Sequence, residues 1–494
     1  MGDRSRIGKV VFLACVMTAT QPMTQTPAWK NAILQPAQDF GPVSLEVLAG
    51  KIPPGLQGSL YRNGPGRLGR NGMPVGHWFD GDGGVLGVHF AKGGATGVYR
   101  YVQTSGFQQE ERAGRYLLAG YGMVPPGPWW ARLTRDVKNA ANTSVLALGD
   151  RLLALWEGGV PHALTLDTLA TIGLDDLPGL KHRPFSAHPK RDPKTGMIYN
   201  FGVTIGATSK LNVYELDGMG VVQREVIIPL TGIPLVHDWA IAGRYLIVCV
   251  PPVQIQALPV LARLKSFSAA MEWQPHRGTE IIAIDRTTLQ VASRTVTDPW
   301  FQWHFGNGHE LADGTVVIDI ARYENFQTNQ RLAEIVSGRL HTSAKATLWR
   351  LHLHPQTGTV ISMEQTLDRS CEFPVSPPHE VGLPARYTYL SIHRPQTDLQ
   401  TEVFDGIARF DHQTGTLTEA CLSPGCYPNE PIYAADAVDP QRGWVLTVVY
   451  NQPCDRSEVW IFAADQLEAE PVCRLGLPHR VPLGFHGTWN PVGS

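Results

Sequence analysis

The sequence contains no run of lysine or arginine and no useful excess of either charge: 42 Lys and Arg stand against 44 Asp and Glu, a formal net charge of −2. Nucleic-acid binding, which needs a basic patch or stripe, has no electrostatic basis here. No unbroken apolar stretch reaches the roughly 18 residues that a membrane-crossing helix requires. Cysteine is scarce and odd in number, seven residues without metal-ligand or knottin spacing. That favours reduced thiols in a cytoplasmic compartment over a disulfide framework. Charged residues make up only 17% of the chain, and the expected partner is small or apolar.

Turn formers, by contrast, are abundant. With 50 glycines, 38 prolines and 43% hydrophobic residues, the composition is that of a turn-rich β protein. Residues 1–22 stand apart: Arg4, Arg6 and Lys9 precede an apolar run from Val10 to Met17, the outline of a secretory signal. The alternative, favoured by the odd cysteine count, is that translation starts at Met23. Residues 23–494 are expected to form one domain acting as a monomer.

One pattern recurs seven times in that domain: an apolar strand, a polar Asp/Gly/Thr turn and a second strand. The first copy reads Val88-His89-Phe90 with Val98-Tyr99-Arg100, and the last Val459 to Phe462 with Pro471-Val472-Cys473. A further strand stands upstream of several hairpins, as in Arg244-Tyr245-Leu246-Ile247-Val248. Four strands per repeat and seven repeats predict an all-β, seven-bladed β-propeller. Asn63-Gly64-Pro65-Gly66 and Asp80-Gly81-Asp82-Gly83-Gly84 are expected to be tight turns. Two apolar stretches break the pattern, 121–133 and 251–273, and should form loops or short helices that make a dome on one face.

A histidine recurs at one phase of the repeat. His188, His237, His304 and His486 each follow such a hairpin by about 20 residues. Equal phase means equal place in each structural unit, here the start of the innermost strand, so four imidazoles from distant parts of the chain should converge. The corresponding slots of two more repeats hold Glu372 and Glu430. Metal-bound imidazoles usually donate their second N–H to a carboxylate, and four neutral histidines leave a divalent ion its full charge. Glu157, flanked by apolar residues, is a third such carboxylate. Four histidines with open positions suit a six-coordinate redox ion such as Fe(II), and copper is not excluded by the residues. His309 follows His304 too closely along a strand for both to reach one ion.

At these residues the chain resembles the carotenoid cleavage oxygenases, and among them the cyanobacterial, retinal-forming apocarotenoid oxygenases. The resemblance rests on Leu60-Tyr61-Arg62-Asn63-Gly64-Pro65, Phe79-Asp80-Gly81-Asp82-Gly83, Leu153 to Gly159, Ser186-Ala187-His188-Pro189, His237-Asp238, Cys371-Glu372-Phe373-Pro374, Gly425 to Pro431 and His486-Gly487. It implies a seven-bladed propeller with Fe(II) on His188, His237, His304 and His486, and with Glu157, Glu372 and Glu430 hydrogen-bonded to those ligands. The implied reaction is cleavage of a conjugated double bond of an apolar apocarotenoid by O2 into two aldehydes, with central cleavage giving retinal.

Phe79, Trp156, Trp303, Tyr323 and Phe485 are then candidates to line the substrate tunnel and to stabilise cationic character in the polyene. The inserts 121–133 and 251–273 would make peripheral membrane contact, reaching lipid-dissolved substrate from the cytoplasmic side. Two other readings compete. A stilbene-cleaving relative would need a Tyr/Lys pair in the pocket to deprotonate a phenol. A non-catalytic carotenoid-binding propeller would have no need of four intact histidines.

Overall fold

The computed structural model describes residues 27–492, so the signal-like stretch and the choice of start at Met23 lie outside the described residues. The fold is all-β and propeller-like. Five antiparallel sheets have four strands each and follow one another along the chain, spanning residues 144–174, 190–230, 240–297, 301–367 and 371–419. A five-stranded and a six-stranded sheet join the two ends of the chain. Gly487–Pro491 pairs with Gly58–Arg67 in the first, and Glu46–Gly50 pairs with Cys473–Gly476 in the second. The seven hairpins of the sequence are adjacent strand pairs, one in each of these seven sheets.

Burial explains the strand patterns. Tyr245–Val250 is apolar throughout and buried throughout, because a second strand is covered on both faces by neighbouring sheets. The fourth strands, such as Gln290–Thr297, are largely open to solvent on one side. Each sheet packs face to face on the next. Phe201, Val213, Trp239, Leu246 and Ile282 join the sheets of 190–230 and 240–297, and Leu348 joins Leu390 and Ala408 across the following pair. Leu60, Leu86 and Phe90 meet Leu446, Val459 and Ile461, so the last sheet also packs on the first.

Two expected turns are not turns. Asn63-Gly64-Pro65-Gly66 lies within the continuous strand Gly58–Arg67, and Asp82-Gly83-Gly84 opens the strand Asp82–Ala91. The glycines serve close approach instead: a Cβ on Gly64 would lie 2.3 Å from Gly484 Cα, in the segment that carries His486. Two hairpins also begin later than expected, with second strands at Thr171–Leu174 and Cys473–Gly476.

The inserts contain the short helix Trp129–Arg132, the helix Ala257–Leu261 and a two-stranded ribbon of Val253–Ile255 with Met271–Trp273. Ser268 N donates to Tyr121 O at 2.8 Å, tying the two inserts together, and the Arg263 guanidinium donates to Arg135 O, just past the first, at 2.8 Å. Two longer helices, Ser105–Ala113 and Gln327–Glu334, are further departures from the strand pattern. No helix among the described residues is long and apolar enough to cross a membrane.

Candidate metal centre

The site is built by the first strands of the sheets. His188 immediately precedes Lys190–Arg191, His237 precedes Ala240–Ala242, His304 lies on Phe301–Glu310, and His486 precedes Gly487–Pro491. All four rings are buried, and one ligand nitrogen from each lies within 4.8 Å of the others. His188 Nε2 and His237 Nε2 are 3.0 Å apart. His309 pairs with Val317 farther along its strand and is not in the cluster.

Three carboxylates orient the rings. His237 Nδ1 donates to Glu157 Oε2 at 2.8 Å, His304 Nδ1 to Glu372 Oε2 at 2.5 Å, and His486 Nδ1 to Glu430 Oε1 at 2.9 Å. An Nδ1–H held this way leaves Nε2 as a bare lone pair aimed at the centre. His188 has no glutamate: its Nδ1 is 3.6 Å from Asp238 Oδ1, which Lys190 Nζ occupies at 2.9 Å. The histidines differ electrostatically. Burial, reinforced by neighbouring imidazoles, drives His188 and His304 well below the usual histidine range. Burial would also lower His237, but Glu157 outweighs it and raises the ring.

The carboxyls differ as well. Burial pushes Glu372 up to about 8 against the opposing pull of the Phe373 N–H and the Tyr323 hydroxyl, and among the described residues its Oε1 has no hydrogen-bond partner. Burial of Glu430 is outweighed by His486 and Arg62, which hold it below the usual carboxylate range. Converging lone pairs and an orphaned buried carboxylate oxygen are unfavourable by themselves, and both are satisfied by a cation at the centre. The donor set therefore fits a divalent metal.

The cluster opens into a cavity of about 530 Å³. Phe79, Trp156, Trp303, Tyr323 and Phe485 all line it. Phe79 meets Trp303 and Phe485 edge to face at 5.5 and 5.3 Å, and Trp303 stands edge to face with His237 at 4.9 Å.

The sequence profile of the retinal pigment epithelial membrane protein family matches residues 34–491. The chain belongs to this family of carotenoid cleavage oxygenases. It is 33% identical to the apocarotenoid-15,15′-oxygenase of Synechocystis, over 95% of this chain and 99% of that protein. The resveratrol cleavage oxygenase 1 of Aspergillus fumigatus is 26% identical, over 93% of this chain and 94% of its own. The structure of the cobalt-substituted Synechocystis oxygenase superimposes with a TM-score of 0.86 at 32% identity, covering 94% of this chain and 98% of that one. The protein is thus an enzyme of the carotenoid cleavage class.

Three residues of this oxygenase site escaped the sequence reading. Thr143 stands ahead of Ser144–Ala147, the first strand of the one sheet without a histidine or glutamate slot, and lines the cavity. Its phase was hidden by the insertion of residues 102–142 after the first hairpin. Asp238 is buried and accepts from Trp239 N at 2.7 Å and Phe305 N at 2.8 Å, joining the His237 and His304 strands. Phe373 has a φ of 51°, a region a bulky residue rarely adopts. That turn delivers its N–H to Glu372 Oε2 at 2.7 Å and stacks its ring on His304 at 5.0 Å. A Phe-Pro pair after a buried glutamate was the only available signal.

Arg62 explains another motif. Its guanidinium donates to Glu430 O at 2.8 Å and Phe485 O at 2.9 Å. It thereby fastens the carboxylate strand to the segment bearing His486.

Proposed function

We propose that the protein is an Fe(II)-dependent oxygenase that cleaves a conjugated double bond of apocarotenoids with O2, giving two aldehydes, with retinal as a product of central cleavage. One observation carries the reading: four buried histidines, with three carboxylate partners, form the floor of an aromatic-lined cavity. His188, His237, His304 and His486 would hold the ion, and Glu157, Glu372 and Glu430 would keep their imidazoles in the ligating tautomer. The iron would supply O2 binding and activation. Phe79, Trp156, Trp303, Tyr323 and Phe485 would hold the polyene, exclude water and offer ring faces to developing positive charge. No side chain need act as a nucleophile. Every group required comes from one chain, which is consistent with a monomer. The face-to-face packing of successive sheets, closed by the last on the first, supports a seven-bladed ring, in which the five- and six-stranded sheets are the blades completed by the chain ends.

The cavity speaks against a phenolic stilbene. Tyr121 lines it, but the next cavity position toward Lys138 is Val137, and no lysine is among the lining residues. Lys138 is instead committed to Asp82 and to Glu110, the latter at 2.8 Å. The test is to incubate iron-loaded protein with apocarotenals of graded length and with resveratrol, and to identify products by mass spectrometry. Aldehydes from the polyenes and none from the stilbene are expected. Preferential stilbene cleavage, or an iron-loaded protein inert toward every polyene, would overturn the assignment.

The inserts support peripheral membrane contact. Trp129, Trp130, Leu258, Leu261 and Leu264 are 66, 64, 80, 71 and 71% exposed, on segments held together by the Ser268 bond to Tyr121. Exposed apolar groups gathered this way favour a lipid surface at about 25 cal/mol per Å² removed from water. Replacing Trp129, Trp130, Leu261 and Leu264 with serine should sharply reduce cosedimentation with liposomes while sparing activity on detergent-dispersed substrate. Equal cosedimentation of variant and wild type would exclude this role.

A further inference from the structure

We propose that Arg331, Ser391 and His393 form a subsite for an oxygen-bearing acceptor end group of the substrate, a carboxylate or a carbonyl. This deepens the reading of the cavity as a polyene site and rests on it. All three residues line the cavity, away from any role as a ligand or a partner of one.

Arg331 lies on the buried side of the helix Gln327–Glu334. It donates to Thr342 O at 2.9 Å, to Leu399 O at 2.6 Å and to Glu402 O. Among the described residues no carboxylate makes an ion pair with it. The nearby acids are engaged elsewhere. Glu334 accepts from the N–H groups of His341 and Thr342, Asp398 from Gln400 N and Thr401 Oγ1, and Glu402 Oε2 from Tyr427 OH. A buried guanidinium held by three carbonyls, with Glu334, Asp398 and Glu402 near it but none in an ion pair, presents its positive charge at the cavity wall.

Ser391 supplies the second observation. It is 1% exposed and, among the described residues, its Oγ has no hydrogen-bond partner. Buried hydroxyls are rarely left this way, and one that faces a cavity is satisfied when a ligand arrives. His393 stands two residues beyond Ser391 and beside Arg331. Its Nε2 is 3.2 Å from the Glu402 carbonyl that Arg331 also holds, and its Nδ1 is 3.0 Å from Ser370 Oγ. Burial, with Arg331 beside it, lowers His393 to about 4, so the ring adds no second charge. The rest of this wall, Val403 and Phe404, is apolar. An acceptor oxygen placed here accepts a hydrogen bond from Ser391 Oγ and meets the Arg331 charge. A hydrocarbon end leaves the hydroxyl orphaned and the cation uncompensated.

The test uses iron-loaded enzyme in detergent with three polyenes of matched length, ending in a carboxylate, an aldehyde or a hydrocarbon. Wild type should show a KM at least about tenfold lower for the acid than for the hydrocarbon, the scale of a hydrogen bond to a charged group, with the aldehyde between them. Ser391→Ala and Arg331→Gln should each shrink that ratio, and Arg331→Lys should retain more of the acid preference than Arg331→Gln. Ser391→Ala removes one unpartnered hydroxyl and tests the idea even if Arg331→Gln folds poorly. Equal KM values for all three polyenes in wild type would overturn the subsite. So would equal changes on all three in Ser391→Ala, which would instead tie Ser391 to Glu372, its partner in strand register. Failure to cleave any of the three would reject the proposed reaction itself.

Discussion

His237→Ala is expected to lose both the metal and turnover while keeping the fold. His237 stands in the cluster with its Nε2 facing His188 Nε2 at 3.0 Å and its Nδ1 held by Glu157. Its removal would take one of the four proposed ligands and free a carboxylate whose side chain is 25% exposed and can take up water in exchange. The loss of activity should therefore exceed the roughly 10 to 100-fold seen when only a hydrogen-bond partner of a ligand is changed. Its neighbours protect the fold. Asp238 still receives Trp239 N and Phe305 N, and Trp239 still donates Nε1–H to His188 O at 3.1 Å. The measurements are metal content by elemental analysis, turnover, and far-ultraviolet circular dichroism. Stoichiometric iron with undiminished turnover in the variant would place the metal elsewhere.

Much of this centre was legible because the fold repeats. A period of one sheet turns a sequence offset into a position in space, so histidines a hundred residues apart could be assigned to one point without any contact information. The same rule located Glu372 and Glu430, and its failure at Thr143 has a physical cause. The rule holds only while the connection between successive sheets is short, and the insertion of residues 102–142 destroys the offset there. Composition misled where glycine was read as turn. At Gly64 the chain is extended, and the glycine is required because the His486 segment crosses it at backbone contact distance. Tertiary crossings of this kind leave no local periodicity. Asp238 and Arg62 are of the same class. Each is a buried charge that, besides its ion pair, holds a backbone group of a neighbouring sheet, and although both stand in recognisable motifs, no periodicity assigns them that duty.

Glu372→Gln and Glu430→Gln should separate metal affinity from stability, although both remove one negative charge beside a ligand. Glu372 accepts from His304 Nδ1 and Phe373 N through Oε2, and among the described residues its Oε1 is unpartnered and no Lys or Arg is paired with it. A glutamine oxygen can still accept both bonds, so the substitution removes charge that burial already disfavours and that a metal at the centre would compensate. Iron affinity or turnover should fall about 10 to 100-fold, with little change in the melting temperature of the metal-free protein. Glu430 carries a further duty, because Arg62 Nη1 lies 3.7 Å from its Oε2 with both side chains buried. Glutamine there leaves the guanidinium without its counter-ion. Breaking a buried pair from one side costs about 3 to 5 kcal/mol, and the two carbonyl bonds that Arg62 keeps place the cost at the lower end. The melting temperature of metal-free Glu430→Gln should accordingly fall well below that of Glu372→Gln. Equal melting temperatures would show that Arg62 does not depend on the Glu430 charge, and unchanged iron content and kinetics in Glu372→Gln would remove that carboxylate from the site.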